Sequence, residues 1–428
     1  MMTPVGDPSI YPQKRRIAIL TAASLSRNPR ALKEAGTVAA AGFEVVVYGA
    51  CFDEAQRQVD EDLADHYGFA FQSVLPVGES WIRSQLLSNW RRIRTRAGVD
   101  LSRHLHFENA WQLGPATLEL REQAHRAHAD YYIAHLEPGA WVGACLNRTG
   151  SRVGIDMEDW YSEDLPLEAR RSRPVRLLRN LERELLTTGG HSTCPSRAMS
   201  EALAREFGCP PPTVIYNAFP WSDRKSMDGL LKDRRDRRLP SIHWFSQTLG
   251  PDRGLEDLIA ALPLLKHEAE IHLRGKPASG FESWLARRTP DAWRGRIKVH
   301  GLVSNAELLS RIAEHDIGFA GETPVIRSRD LTVTNKILYY MVAGLAVVAS
   351  ETAGQKEVEE QAPGGVSLYP SGNSAKLAAR LDVLLGSSDA LRQAKMAVLA
   401  AAERTFCWER QEQELLRSVH RALATAAA

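Results

Sequence analysis

The sequence predicts an α/β protein built from two doubly wound parallel-sheet domains that face a central cleft. Three observations carry that expectation. At 428 residues the chain is too long for one ordinary core. Short apolar runs, each followed by a polar loop and a helical stretch, recur along it. The series breaks once, at a polar, proline-bracketed stretch over 219–240, and then starts again.

Residues 1–14 (MMTPVGDPSIYPQK) read as a loose leader. The first domain, 15–218, opens with the apolar run IAIL (17–20). A loop, TAASLSRNP, then leads to a helix over 30–41, stopped by Gly42, and to a second strand, FEVVVYG (43–49). Strand, helix, glycine stop and strand make a βαβ unit, whose connection is right-handed. The unit returns as ADYYIAHL (129–136), a helix near 139–148 and the strand SRVGIDME (151–158). A helix near 175–188, the segment HSTCPS (191–196), a helix over 197–207 and the strand PTVIYN (212–217) complete it.

Residues 219–240 are expected to link the domains. In the second domain, 241–405, strands are expected at 241–247, 270–275, 297–303, 316–321, 345–350 and 365–370, with helices between them. A helical tail over 406–428 closes the chain. In open parallel sheets ligands bind beyond the carboxyl ends of the strands, so two such sheets place the site in the cleft between them.

Composition narrows the function. The formal net charge is only +2, which gives no overall field for nucleic acid, and none is expected as a partner. Basic residues are nonetheless clustered: six arginines against one acid in 81–104, six arginines in 170–183, and seven basic residues in 224–238. Within 81–96 (WIRSQLLSNWRRIRTR), arginines mix with Trp81, Ile82, Leu86, Leu87 and Trp90, a pattern that fits either an interfacial helix on an anionic membrane or a helix packed on its own sheet. The five cysteines are scattered, none at C-x-x-C spacing, so no zinc site or disulfide framework is indicated. With no 18-residue apolar run, the chain is expected to be cytoplasmic, with peripheral contact at the inner face of the membrane left open. Neither G-x-G-x-x-G nor G-x-x-x-x-G-K-[ST] occurs, which argues against a dehydrogenase or a P-loop NTPase.

Two segments have the composition of anion sites. In WFSQTLGPDRGLEDLI (244–259), Gly250 and Gly254 flank Arg253 between a strand and a helix. Glycines admit a close ligand, a helix start offers amides, and arginine adds a fork of donors, a combination that suits a diphosphate as well as it suits a plain turn. In DLTVTNKILYYMVAG (330–344), Thr332, Thr334 and Asn335 precede Lys336 at a helix start, with Gly354 and Gln355 in a strand-end loop behind. In the first domain, Asp156, Glu158 and Asp159 stand close at a strand end. Three carboxylates there could bind an acceptor hydroxyl, act as a base, hold a divalent cation or simply face solvent, so no metal is assigned.

Taken together, GPDRGLEDLIAAL, VHGLVSNAEL (299–308), HDIGFA (315–320) and TNKILYYMVAGLAVVAS (334–350) resemble the GT-B glycosyltransferases of family 4. The first domain is similar to them through RNPRALKEAGTVAAAGFEVVVYG (27–49), ADYYIAHLE, GIDMEDW (154–160) and 195–220. The resemblance implies GT-B architecture and transfer of a sugar, with retention, from a nucleotide-diphosphate donor of UDP, GDP or dTDP type to a hydroxyl acceptor, with no tightly bound cofactor. It implies that Arg253 and Lys336 grip the diphosphate, with Gln247, Gly250, Thr334, Asn335, Tyr339, Gly354 and Gln355 on the donor side. It places His135 at the donor sugar, Asp156 and Glu158 at the reacting centre, and Asn28, Arg30 and Asp159 on the acceptor side.

The chain also departs from the family. Two glutamates seven residues apart, which usually hold ribose and sugar, are replaced by Leu331 and Tyr339; Gln247 stands for a glycine, and Glu158 for a histidine. These departures keep open a pseudo-glycosidic transferase, a nucleotide-sugar epimerase, or a degenerate binding or scaffold subunit.

Overall fold

The computed structural model describes residues 14–77, 81–166, 168–234, 239–251 and 254–424. Its first sheet holds seven parallel strands: β1 (Arg16–Leu20), β2 (Glu44–Gly49), β3 (Ala70–Ser73), β4 (Tyr131–His135), β5 (Val153–Asp156), β6 (Ser192–Cys194) and β7 (Thr213–Val214), in the order β3-β2-β1-β4-β5-β6-β7. The second holds six: β8 (Ser241–Leu249), β9 (Glu270–Pro277), β10 (Ile297–His300), β11 (Ile317–Ala320), β12 (Ala346–Ser350) and β13 (Val366–Tyr369), in the order β10-β9-β8-β11-β12-β13. Both orders reverse direction beside the first strand of the domain, and every pairing between strands is parallel. This is the doubly wound architecture expected, and the central strands are apolar and buried on both faces, as helix-covered parallel strands must be.

The stretch 50–128, for which periodicity made no prediction beyond 81–96, holds the helices Glu54–Tyr67, Trp81–Leu105 and Thr117–Arg126 together with β3.

Two expectations about connections need correction. Within the expected linker 219–240, residues 219–234 are no free segment: Asp228 takes both oxygens to Arg311 (2.5 and 2.6 Å), Asp233 pairs with Arg274, and Arg234 bonds Asp316 at 2.7 Å. The charges that read as solvated fasten the segment to the second domain. Nor does the last helix, Trp408–Ala424, hang as a tail. Its Trp408, Leu415, Val419 and Leu423 join Ile17, Ile19, Val38 and Val45 in the core of the first domain. The chain therefore crosses between domains twice, and the crossings are tied: Trp408 N donates to Phe219 O (3.0 Å) and Trp221 N to Glu409 (2.9 Å). Much of the other basic clustering is likewise neutralised, Arg91 and Arg94 by Glu119, Arg170 by Glu163 and Arg179 by Glu206.

A row of histidine rings runs through the second domain. His243 stacks on His315 (centroids 4.4 Å apart), His315 lies 4.5 Å from His272, and His272 stacks on His300 at 5.2 Å. Burial pushes His243 and His315 well below the ordinary value of 6.5 and His272 down to about 4, with neighbouring cations adding to it. The folded rings are thus neutral, whereas the unfolded chain binds protons below about 6.5. Stability from these rings is complete above that pH and is lost as pH falls toward the folded values. Melting temperature is expected to drop between pH 7 and 4.5, and to drop less in His272→Gln; identical slopes for the two proteins would refute the assignment.

Candidate functional site in the interdomain cleft

The carboxyl ends of β1, β4 and β5 face those of β8, β11 and β12, and side chains bridge the gap. Trp160 N donates to Ser328 Oγ (3.0 Å), Ser196 Oγ to Leu331 O (2.5 Å), and Asn217 Nδ2 to Asn335 Oδ1 (3.0 Å). Arg327 lies over the Trp160 ring at 4.2 Å. Between these bridges is a cavity of 240 Å³ whose lining includes Arg27, Asn28, Arg30, Glu158, Asp159, Asn217, Thr332 and Asn335. A larger groove of 520 Å³, lined by Arg94, Glu119, Arg121 and His128 among others, lies against Thr117–Arg126 and contains none of the predicted site residues.

On the second domain's side lie the elements expected to hold the donor. Gly254 precedes the helix Leu255–Ala261 with φ 76°, and a Cβ there would meet the Gly321 backbone at 2.7 Å, so two glycines let the β8 and β11 loops touch. Gly250 has no such constraint, since its Cβ would meet only Ala278 at 3.7 Å. Gly354 lets the helix Ala353–Gln361 approach the 331–332 backbone, where a Cβ would lie 2.3 Å from Thr332 O. Thr334 begins the helix Asn335–Ala343 without a side-chain cap, and its buried Oγ1 is unpartnered among the described residues. Lys336 Nζ sits 2.6 Å from Glu322 Oε1 and 5.5 Å from the centroid of the Trp244 ring. Glu322, at the carboxyl end of β11, escaped sequence reasoning because a lone acid after a strand carries no spacing signal.

Several donor-side expectations change. Arg253 lies outside the described residues, so the structure does not speak to its predicted role. Gln355 is fully buried and spends its amide on Ser350 O and Oγ (2.9 and 3.0 Å), which makes it a strut inside the loop and removes it as a direct ligand. Tyr339 stacks on Phe219 (centroids 3.6 Å) and stands edge-on to Phe245 (5.6 Å), so an aromatic plug fills the place where the resemblance implies a carboxylate. Gln247 is exposed near the end of β8, and Asn335 is exposed at the cleft.

On the first domain's side, a buried ion network underlies the cavity. Arg30 Nε bonds both oxygens of Asp156 (2.9 and 2.7 Å) and Arg30 Nη1 bonds Ile215 O (2.6 Å). His135 is fully buried, with Nε2 2.6 Å from Glu34 Oε2, in an ionic contact outside hydrogen-bond geometry, and Nδ1 2.9 Å from Glu158 Oε1. Burial alone would push this imidazole down, but the charge and close contact of Glu34, the bond to Glu158 and the charge of Asp156 hold it up at about 10. Asp156, raised by burial but lowered more by Arg30 and His135, stays below its ordinary value.

His135 therefore does not meet a donor directly: both ring nitrogens are taken. Asp156 is equally closed off from any acceptor, being 2% exposed and neutralised by Arg30. Arg30, placed on the acceptor side by the resemblance, lines the cavity but spends its Nε on Asp156. Among the described residues, Glu34, His135 and Asp156 bring ligand atoms within 4.8 Å of one another, yet Arg30 and the two-sided histidine already balance the charge, so they form an ion network and no cation cage. Asp156, Glu158 and Asp159 do not act as one group, since only the last two face the cavity.

Glu158 is the exposed end of this network. Its Oε1 accepts from Asn28 Nδ2 (2.8 Å) and from His135, while Oε2 has no partner among the described residues. Asn28 also caps the helix Pro29–Ala40 by accepting from Ala31 N (3.0 Å). Beside it, burial raises the half-buried Asp159 carboxyl to about 8, helped by Asp164 and Glu158. At that value Asp159 keeps its proton at neutral pH and can donate it.

Comparison with known proteins follows the same division. Residues 240–387 match the family model described as Glycosyl transferases group 1. The fold is GT-B. HepE from Anabaena, solved with UDP and glucose, matches at a TM-score of 0.67 with 17% identity, over 95% of this chain and 99% of that one. Sucrose-phosphate synthase from Thermosynechococcus elongatus matches at 0.67 with 13% identity, over 96% and 100%. A putative UDP-N-acetylglucosamine 2-epimerase from Listeria monocytogenes matches at 0.55 with 10% identity, over 97% of both chains. No curated protein sequence matches the chain. The GT-B architecture thus covers both domains, while the match to the family model lies in the second.

Proposed function

We propose that the protein transfers a hexosyl group, with retention, from a nucleoside-diphosphate sugar to a hydroxyl acceptor. The observation that carries this reading is the opposition, across one cleft, of a helix start carrying Thr334, Asn335 and Lys336 to a wall presenting the free oxygen of Glu158. Lys336, and Arg253 by resemblance, would meet the diphosphate, where charge develops as the nucleotide leaves. Glu158 Oε2 would accept a hydrogen bond from the acceptor hydroxyl, with Asp159 and Asn217 orienting its neighbours. A UDP donor is favoured, since HepE was solved with UDP. The test is a thermal-shift screen against UDP, GDP and dTDP, because a ligand of the folded state raises stability by mass action. No shift with any of them at millimolar concentration would sink the reading, and a changed nucleotide sugar formed without acceptor would replace it with epimerisation.

The acceptor side is also proposed to lie on a membrane surface. In the helix Trp81–Leu105, the side chains of Leu86, Trp90 and Ile93 are 65%, 61% and 57% exposed at one-face spacing, with exposed Arg92 and Arg96 along one edge. The side chains of Trp81 and Ile82 lie outside the described residues. No helix among the described residues is long and apolar enough to cross a membrane. An apolar stripe edged by arginines fits anionic headgroups lying over an apolar boundary. The protein is expected to co-sediment with vesicles of anionic phospholipid, and less so in the Trp90→Ser/Ile93→Ser variant or at high salt. Equal recovery with neutral vesicles would refute the proposal.

A further inference from the structure

Resting on the reading of Glu158 as the acceptor-side carboxylate, we propose that Glu34 is a positioning residue that keeps His135 a doubly protonated cation, so that His135 and Asn28 pin one oxygen of Glu158 and leave the other facing the acceptor. The geometry argues this directly. A neutral imidazole carries a single N–H. Here both ring nitrogens stand within 3 Å of a carboxylate oxygen, Nε2 at 2.6 Å from Glu34 and Nδ1 at 2.9 Å from Glu158. In a neutral ring, one lone pair would face an anion in a site with no water to screen it. The doubly protonated ring satisfies both sides.

The surrounding groups support the same charge state. Around His135 stand Glu34 and Arg30 from the helix Pro29–Ala40, Asp156 from β5, Glu158 from the loop after it, and His191 at the start of β6. Arg30 is matched to Asp156. His191 is pushed down to about 4, by burial first, and so is neutral; Tyr131 Oη meets its Nδ1 at 2.7 Å. The carboxylates left for His135 are therefore Glu34 and Glu158. Glu34 is 1% exposed and forms no hydrogen bond from either oxygen. Burial raises its carboxyl above the ordinary value, and the charges of His135 first and Arg30 second oppose that rise, so the 2.6 Å contact with the histidine cation is the main offset to its burial. Removing the Glu34 charge would let the ring lose its proton. Nδ1 could then become an acceptor, and the Glu158 carboxylate would turn.

Histidine-selective ¹⁵N labelling of the full chain, with the His135 signals assigned by their loss in His135→Asn, tests the idea. In the wild type, both ring nitrogens are expected to remain protonated at pH 8. In Glu34→Gln, the ring is expected to titrate in the ordinary histidine range, about 6–7. Glu34→Asp should restore protonation at pH 7 but lose it at a lower pH than the wild type. A neutral ring in the wild type at pH 8, or a ring unchanged in Glu34→Gln, would overturn the proposal. Should Glu34→Gln fail to fold, the wild type and Glu34→Asp decide it, a His135 titration in Glu34→Asp identical to wild type counting against. UDP binding measured on the same samples separates the two readings. A wild type that binds no nucleotide defeats sugar transfer, whereas the ring measurement stands or falls on Glu34.

Discussion

Asp156→Ala is expected to lower the unfolding free energy of the first domain by about 3–5 kcal/mol, the cost of stripping one partner from a buried ion pair. Arg30 and Asp156 are each about 2% exposed, so the guanidinium would lose its charged partner at a site with little access to solvent. The pair also joins parts of the chain far apart in sequence: Arg30 comes from the first helix, Asp156 ends β5, and the same guanidinium holds Ile215 O on the way to the crossover. Asp156→Asn preserves shape but removes charge, so it should cost nearly as much; a mild effect there would mean that packing matters more than charge. Because the Asp156 carboxyl is held below its ordinary value, its contribution is present above pH 4 and lost only as pH falls further, which separates it from the histidine row in the second domain. Denaturant unfolding followed by tryptophan fluorescence, with Trp160 buried in the first domain, reads the change. A loss below about 1 kcal/mol, the scale of an exposed pair, would refute the assignment.

The parts of the fold that the sequence made legible were those whose burial is written in composition. Strands such as YYIAH and AVVAS are apolar on both faces because helices cover both, and they stand out without periodicity. Glu54–Tyr67 was missed because, of its fourteen residues, only Asp60 and Ala64 are buried, so its sequence shows no apolar stripe. Asp60 itself is buried to cap the loop at Ser24–Ser26, a role that looks like surface polarity in a string of letters. The same blindness affected the linker, where Asp228, Asp233 and Arg234 read as solvated charge until their partners on Arg311, Arg274 and Asp316 were in view.

At the site, Lys336 was legible because a lysine beside hydroxyls at a helix start is a local pattern. Glu34 and Glu322 were not, since each acquires meaning only from a residue brought to it by the fold, His135 in one case and Lys336 in the other. Asp156 was singled out by its place at a strand end and His135 by resemblance, but sequence could not show that their polar atoms face inward. What remains in contact with the cleft is the far end of the network, Glu158.

Lys336→Ala is expected to weaken nucleoside-diphosphate binding at least tenfold, about 1.4 kcal/mol, measured by calorimetry at low salt. Its ammonium carries three donors and spends one on Glu322, which leaves the others for a ligand at the helix start. Glu322 thus has two opposed effects: it aims the lysine, and it places a negative charge beside an anion site. The aim does not depend on Glu322 alone, because Lys336 is only 11% exposed and its stem is held by the surrounding packing. The charge effect should therefore dominate, and Glu322→Gln is expected to tighten binding by a few-fold, roughly the worth of one partly screened charge. The pair of variants moves affinity in opposite directions, and the difference between them should shrink as salt is added. If both weaken binding equally, Glu322 acts by holding the lysine in place; if neither changes it, the diphosphate is not gripped at the start of Asn335–Ala343.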